Sequence, residues 1–92
     1  ASTALQMGLV HETVEEQLLD KKIEQLVTSV LSNGPEAVAA AKQLISKVSG
    51  EVIDSTLIEH TCEVIAGIRV STQGQEGLSA FLDKRKPNWL KD

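Results

Sequence analysis

The sequence is nearly free of aromatic residues. Phe81 and Trp89 are the only two in 92 residues, both fall among the last twelve positions, and tyrosine is absent. Any core must therefore be aliphatic, and 11 Leu, 6 Ile, 9 Val and 8 Ala are available to build it. A chain of this length is enough for one small domain.

Cysteine and long apolar runs are also scarce. Cys62 is the single cysteine, so no disulfide forms within the chain and a reducing compartment is expected. No stretch approaches the ~20 consecutive apolar residues that a membrane helix needs, and the chain does not open on a basic and apolar export signal. These absences predict a cytoplasmic protein with no membrane partner.

Only the end of the chain has a net positive charge. Residues 1–83 carry 5 basic and 12 acidic groups, whereas residues 84–92 carry 4 basic groups and 1 acidic group. An acidic body repels the phosphates that dominate nucleic-acid affinity, so we expect no nucleic-acid partner. A short cationic cluster still suits one phosphorylated ligand.

The spacing of apolar residues predicts an all-α fold of three to four amphipathic helices in a compact or partly open arrangement. A short first segment ends at Gly8. Apolar residues then recur with a period of about 3.6 in three long segments and a short one, namely residues 13–31, 35–48, 51–70 and the stretch before Pro87. Gly67 is expected to mark a close helix contact or a weak point. No repeat or linker divides residues 1–92, so one domain is expected.

Short motifs predict where the helices begin and end. Thr13 and Glu16 have capping-box spacing, which predicts a helix that begins at Thr13. The Asn-Gly-Pro at residues 33–35 predicts the end of one helix and the start of the next, because proline is favoured at a first helical position. Residues 71–75 are interpreted as a turn, and residues 9–12 alternate too briefly for a stable strand.

Candidate metal ligands and catalytic groups are few. His60 and Glu63 lie three residues apart with Cys62 between them, but a structural zinc site needs four ligands and no second His or Cys pair is present. A helix edge with solvated charges is the simpler interpretation, so we expect no metal. His11 has no Ser, Cys or Asp arrangement around it, and we assign no catalytic residue.

The last predicted helix ends in aromatic and basic residues. Phe81 and Arg85 are four apart, and Lys84 is close to Phe81 on the helix surface. Such an end can bind an aromatic, phosphorylated ligand through an apolar contact and charge-assisted hydrogen bonds. Alternatively, the cations only complement the helix dipole and stay solvated.

Three stretches resemble one known family. Residues 75–89, QEGLSAFLDKRKPNW, resemble the E-G-x-x-A-F-x-E-K-R-x-P-x-W/F ending of the enoyl-CoA hydratase/isomerase (crotonase) family. Residues 7–11 and 33–44 resemble its G-L-V and N-G-P-x-A-x-x-x-A-K-x-L stretches, in the same order along the chain. Asp83 stands where the family pattern has Glu.

This resemblance implies that residues 1–92 are a C-terminal helical domain for assembly and for covering CoA, without the catalytic α/β core. The parent enzyme is then a lyase that hydrates a 2,3-unsaturated acyl-CoA, and the fragment alone is expected to be inactive. By resemblance Phe81 supplies an apolar wall for CoA, Lys84 binds a CoA phosphate, and Arg85 is a weaker candidate for the same role.

The resemblance also implies the partners. They are an acyl-CoA substrate, with no separate cofactor, and other copies of the chain, as a trimer or hexamer of the parent or a dimer of the fragment. Residues 68–77 resemble hydratases of branched acyl-CoAs, such as methylglutaconyl-CoA hydratase. An autonomous helical protein-interaction module that binds no CoA is the alternative, because broad aliphatic stripes can bury surface by association.

Overall fold

The computed structural model describes residues 1–90, and every regular element in that range is helical. The all-α prediction is therefore confirmed, with five α-helices rather than three to four. A 3-10 turn at Glu16–Leu18 precedes the second helix. The α-helices are α1 at Ser2–Gln6, α2 at Leu19–Leu31, α3 at Pro35–Val48, α4 at Ser55–Val70 and α5 at Thr72–Leu82.

Several helix ends follow the predicted signals. Pro35 is the first residue of α3, where its missing N–H costs no hydrogen bond. Gly8 and Gly50 follow α1 and α3 with φ of 74° and 78°, a left-handed conformation that glycine adopts without a steric penalty. The Asn-Gly-Pro junction thus separates α2 from α3 as expected.

Other boundaries differ from the prediction. The helix predicted from Thr13 begins only at Leu19, and no side chain caps either the 3-10 turn or α2. Residues 71–75 are not a free turn, because α5 starts at Thr72 and includes most of them. Within residues 1–90 no strand forms at residues 9–12. A β-carbon at Gly67 would meet nothing within 4 Å, so Gly67 does not mark a close helix contact.

The helices form a thin, open layer. α3 packs on α4 and α4 packs on α5, but the radius of gyration is 17.4 Å and the extents are 43 × 42 × 16 Å. A compact domain of this length has a radius of gyration of about 12 Å. Among residues 1–90, Ala80 is the only buried hydrophobic residue, at 2% exposure. The layer therefore lacks an internal core.

The aliphatic stripes are consequently exposed. On α2 the predicted apolar face is present, yet Leu26 and Val30 remain 51% and 56% exposed. An exposed apolar surface of this kind is typical of a face that another polypeptide covers. Within residues 1–90, no helix is both long enough and apolar enough to cross a membrane.

Asp54 determines where α4 begins. Its Oδ1 accepts a hydrogen bond from the Leu57 N–H at 2.8 Å, so the helix starts at Ser55 rather than at the predicted residue 51. We expect Asp54→Ala to destabilise the chain by about 1 kcal/mol, because an N-cap acceptor is lost. Asp54→Asn keeps an acceptor and should be nearly neutral in urea unfolding followed by circular dichroism. Equal effects of the two substitutions would contradict this role.

Candidate functional site

A one-residue junction positions α5 against α4. Ser71 both ends α4 and caps α5: its hydroxyl donates to the Ile68 carbonyl at 2.7 Å and accepts from the Gly74 N–H at 3.0 Å. The Gln75 amide donates to the Arg69 carbonyl at 2.7 Å. This hydrogen-bonded corner fixes the direction of α5. It therefore also fixes where the cationic end of α5 lies, by which we mean Phe81 and the two cations that follow the helix, Lys84 and Arg85.

The corner also holds the start of α3. The Gln73 Oε1 accepts from the Glu36 N–H at 2.7 Å and so satisfies one of the free donors in the first turn of α3. The Trp89 indole N–H donates to the Ser32 carbonyl at 3.3 Å. The segment from Ser32 to Glu36 is therefore in direct contact with both α5 and Trp89.

A small apolar pocket lies where these segments meet. Its volume is about 250 Å³, and its lining includes Gly34, Ala37, Ile68, Leu78 and Trp89. A β-carbon added at Gly77 would lie 3.1 Å from the Trp89 ring, so the indole packs closely on α5. The pocket contains few polar groups and lies within the helix junction, which makes it a packing feature.

The C-terminal end of α5 is a Schellman motif. The Arg85 N–H donates to the Ala80 carbonyl at 3.0 Å and the Lys84 N–H donates to the Phe81 carbonyl at 3.3 Å. Lys84 has φ of 53° and is the only non-glycine residue with positive φ in residues 1–90. Glycine is usual at this position, and a side chain there costs about 1 kcal/mol.

A carboxylate folds the following segment back onto α5. Arg85 Nη1 and Nη2 donate to the two oxygens of Glu76 at 2.7 and 3.0 Å, a bidentate pair. The Asn88 N–H donates to the same carboxylate at 2.9 Å. Glu76 thus adds two side-chain ties, at Arg85 and at Asn88, to the main-chain hydrogen bonds that hold this segment to the end of α5.

This pairing shifts both ionisation equilibria. The hydrogen bond from Arg85 lowers the pKa of the Glu76 carboxyl below its ordinary value, and the Asn88 N–H lowers it further. The same bond raises the pKa of Arg85. Because the pKa of Glu76 falls on folding, the stabilisation is complete above the unfolded carboxyl pKa and is lost as the pH falls through the folded one. The pair is therefore intact at neutral pH.

The three residues predicted to face CoA are differently placed. Phe81 lies in the last turn of α5 and is 81% exposed. Lys84 is exposed, and no ion pair or side-chain hydrogen bond involves it within residues 1–90. Arg85 lies beyond the last residue of α5, so it does not share a helix face with Phe81 as the spacing suggested, and its guanidinium is occupied by Glu76.

The remaining chemical candidates do not form a site. His60 and Glu63 lie on α4 near Cys62, which is exposed. In the part of the chain from residue 1 to 90, no three His, Cys, Asp or Glu side chains come together as a metal site would require. Glu76 and Gln73 were not assigned roles from the sequence. Their partners are 9 and 37 residues away, which no helical period reveals.

Comparison with known proteins identifies the family of this helical layer. The sequence model of the enoyl-CoA hydratase/isomerase family matches residues 1–92. The chain belongs to the enoyl-CoA hydratase/isomerase family. The crystal structure of a Legionella pneumophila protein described as an enoyl-CoA hydratase/isomerase (crotonase) superposes with a TM-score of 0.92 at 40% identity, covering 98% of this chain and 35% of that chain.

Relatives of known activity share the same region. Methylmalonyl-CoA decarboxylase of Escherichia coli is 34% identical, over 98% of this chain and 35% of that protein. Crotonyl-CoA hydratase of Syntrophomonas wolfei is 33% identical, over 98% of this chain and 34% of that protein. The chain thus spans about a third of the length of the curated relatives it matches.

Proposed function

We propose that this chain is the C-terminal helical domain of an enoyl-CoA hydratase, where it supports oligomer assembly and contacts the CoA part of the acyl-CoA substrate. The observation that carries the proposal is the cationic end of α5, where exposed Phe81 and Lys84 are joined by a main-chain hydrogen bond of 3.3 Å. The aromatic ring can form an apolar contact with a nucleotide, and the neighbouring ammonium can bind one of its phosphates.

The open layer supports a role within a larger protein. The aliphatic faces of α2 and α4 are exposed, and Ala80 alone is buried among the hydrophobic residues described. The length of the curated relatives leaves about two thirds of such an enzyme to cover those faces. We propose that the catalytic groups lie in that remaining part. We also propose that other subunits of a trimer or hexamer pack against the face of the layer that this part leaves uncovered.

The reaction class is proposed from the relatives. A decarboxylase and a hydratase match this chain at 34% and 33% identity, so this third of the sequence does not distinguish their reactions. We propose that the full-length enzyme hydrates a 2,3-unsaturated acyl-CoA, and more specifically a branched one such as methylglutaconyl-CoA. Steady-state rates with crotonyl-CoA, methylglutaconyl-CoA and methylmalonyl-CoA on the full-length enzyme would decide among these substrates.

We also propose a cytoplasmic location, because the exposed thiol of Cys62 suits a reducing compartment.

Lys84 provides the direct test. In the full-length enzyme, Lys84→Ala should raise KM for acyl-CoA about tenfold with kcat unchanged, because one charge-assisted hydrogen bond to a phosphate is lost. The same acyl group on pantetheine, which lacks the nucleotide phosphates, should show no change in KM. Unchanged kinetics with acyl-CoA would overturn the role of Lys84.

Two further variants separate charge from backbone conformation. Lys84→Gly removes the ammonium but relieves the positive φ, so it should raise KM as Lys84→Ala does while stabilising the end of α5 by about 1 kcal/mol. Lys42→Ala removes an exposed cation of α3 outside the site and should leave KM unchanged. A loss of affinity in Lys84→Ala but not in Lys84→Gly would mean that conformation, not charge, matters.

An autonomous helical interaction module is the second candidate. The exposed stripes of α2, with Leu26 and Val30 about half exposed, favour association with some other polypeptide whether or not CoA is bound. The reading frame upstream of residue 1 separates the two candidates. A catalytic α/β region encoded there supports the enzyme, whereas an unrelated sequence or a stop codon supports the module.

A further inference from the structure

The lysine proposed to meet a phosphate sits in a backbone conformation that lysine disfavours. Lys84 has φ of 53°, in the left-handed region where glycine is the usual residue. The helix-end hydrogen bonds from Lys84 and Arg85 hold this conformation from one side only, at 3.3 and 3.0 Å. A side chain displayed from a strained position needs further support on its other side.

Glu76 supplies that support. Its side chain is only 18% exposed. Its carboxylate accepts hydrogen bonds from Arg85 Nη1 and Nη2 and from the Asn88 N–H. It therefore anchors the segment immediately after Lys84 at two points separated by three residues. Both anchors belong to one carboxylate on α5, the same helix that carries Phe81.

Arg85 has few donors left for a ligand. Besides its two bonds to Glu76, its Nε reaches Asp83 Oδ2 at 3.4 Å and its Nη1 also donates to the Lys86 carbonyl at 3.3 Å. A guanidinium has five N–H donors, and three of its nitrogens are engaged here. The two adjacent cations therefore have different roles: Lys84 faces outward and Arg85 is turned onto the protein.

We propose that Glu76, through its bidentate pair with Arg85, is a positioning residue that holds Lys84 in place for a phosphate of acyl-CoA. This inference rests on the proposed function of Lys84 and adds to it that Arg85 acts through Lys84 instead of binding the phosphate itself. Loss of the pair removes the side-chain anchor at Arg85, and the ammonium of the neighbouring Lys84 then samples more positions. Binding becomes weaker, while the chemistry on the acyl group is unaffected.

A double-mutant cycle in the full-length enzyme tests the proposal. Glu76→Gln removes the carboxylate charge and one strong acceptor, but the glutamine side chain can still accept from the Asn88 N–H. Arg85→Lys keeps the positive charge but removes the two parallel N–H donors of the guanidinium that bind Glu76. Each should raise KM for crotonyl-CoA about three- to tenfold at unchanged kcat. Neither should change KM for crotonyl-pantetheine, and a general loss of folding would instead lower the apparent kcat with both substrates. In a Lys84→Ala background, each should change KM by less than about twofold.

The possible outcomes separate this proposal from the one it rests on. If Lys84→Ala has no effect on KM for crotonyl-CoA, the proposed function of Lys84 is wrong. If Lys84→Ala raises KM but Glu76→Gln does not, only the positioning role is wrong. If the effects of Glu76→Gln or Arg85→Lys persist in full when Lys84 is already alanine, Arg85 contacts the phosphate directly and the positioning role is again overturned.

Discussion

Assayed alone with crotonyl-CoA, the 92-residue chain is expected to produce no hydration above the uncatalysed rate. Enzymes accelerate such reactions by at least about 10⁶-fold, so the difference from the full-length enzyme should be very large. A carboxyl group that acts as a general acid or base needs a pKa near the working pH, usually raised by burial. Among residues 1–90, the acidic side chains are exposed except that of Glu76.

Glu76 is unsuited to proton transfer. Its pKa lies below the ordinary value because Arg85 and the Asn88 N–H bind the charged form, so it stays ionised at neutral pH. Residues 1–90 therefore contain no shielded carboxyl that could exchange a proton with water or substrate. The assay follows loss of the enoyl absorbance, with the full-length enzyme as the positive control. Turnover by the chain alone at an enzyme-like rate would place catalytic groups within it and contradict the proposal.

The sequence predicts the helices better than their ends. Proline and glycine impose local conformations, and the α2 to α3 junction at Pro35 is correctly predicted for this reason. The capping-box spacing at Thr13 fails: residue 15 is extended before the 3-10 turn, and Glu12 pairs with Lys22 of α2 at 2.6 Å. A capping box contributes about 1 kcal/mol, which neighbouring contacts readily override.

The sequence indicates the charged residues of the candidate site but not the contacts between them. The exposed cation at Lys84 follows from charge and from the family motif. The link between Glu76 and Arg85 crosses a helix end, so helical periodicity does not reveal it. The contact of Gln73 with Glu36 depends on how α3 and α5 pack, which only the fold shows. Contacts between distant segments are thus the part that the sequence pattern leaves open.

Two glycine-to-alanine substitutions, only seven residues apart, should change stability in opposite directions. At Gly74 in the first turn of α5, an added β-carbon would lie 2.0 Å from the Ile68 carbonyl oxygen and 3.1 Å from that of Arg69. Both atoms are backbone, so the corner at Ser71 must open to make room. We expect Gly74→Ala to destabilise the chain by about 3 kcal/mol, the upper end of overpacking costs.

Gly67→Ala is the matched control, because it lies inside α4 and its β-carbon would meet nothing within 4 Å. Helix propensity alone then applies, and alanine should stabilise by up to about 1 kcal/mol. The clash at Gly74 involves residues only six positions apart, so it acts in the isolated chain without depending on distant packing. Urea unfolding followed by circular dichroism at 222 nm measures both variants. A stabilising Gly74→Ala would show that the α4 to α5 corner has room for a β-carbon, because the helix-propensity gain would then outweigh any clash.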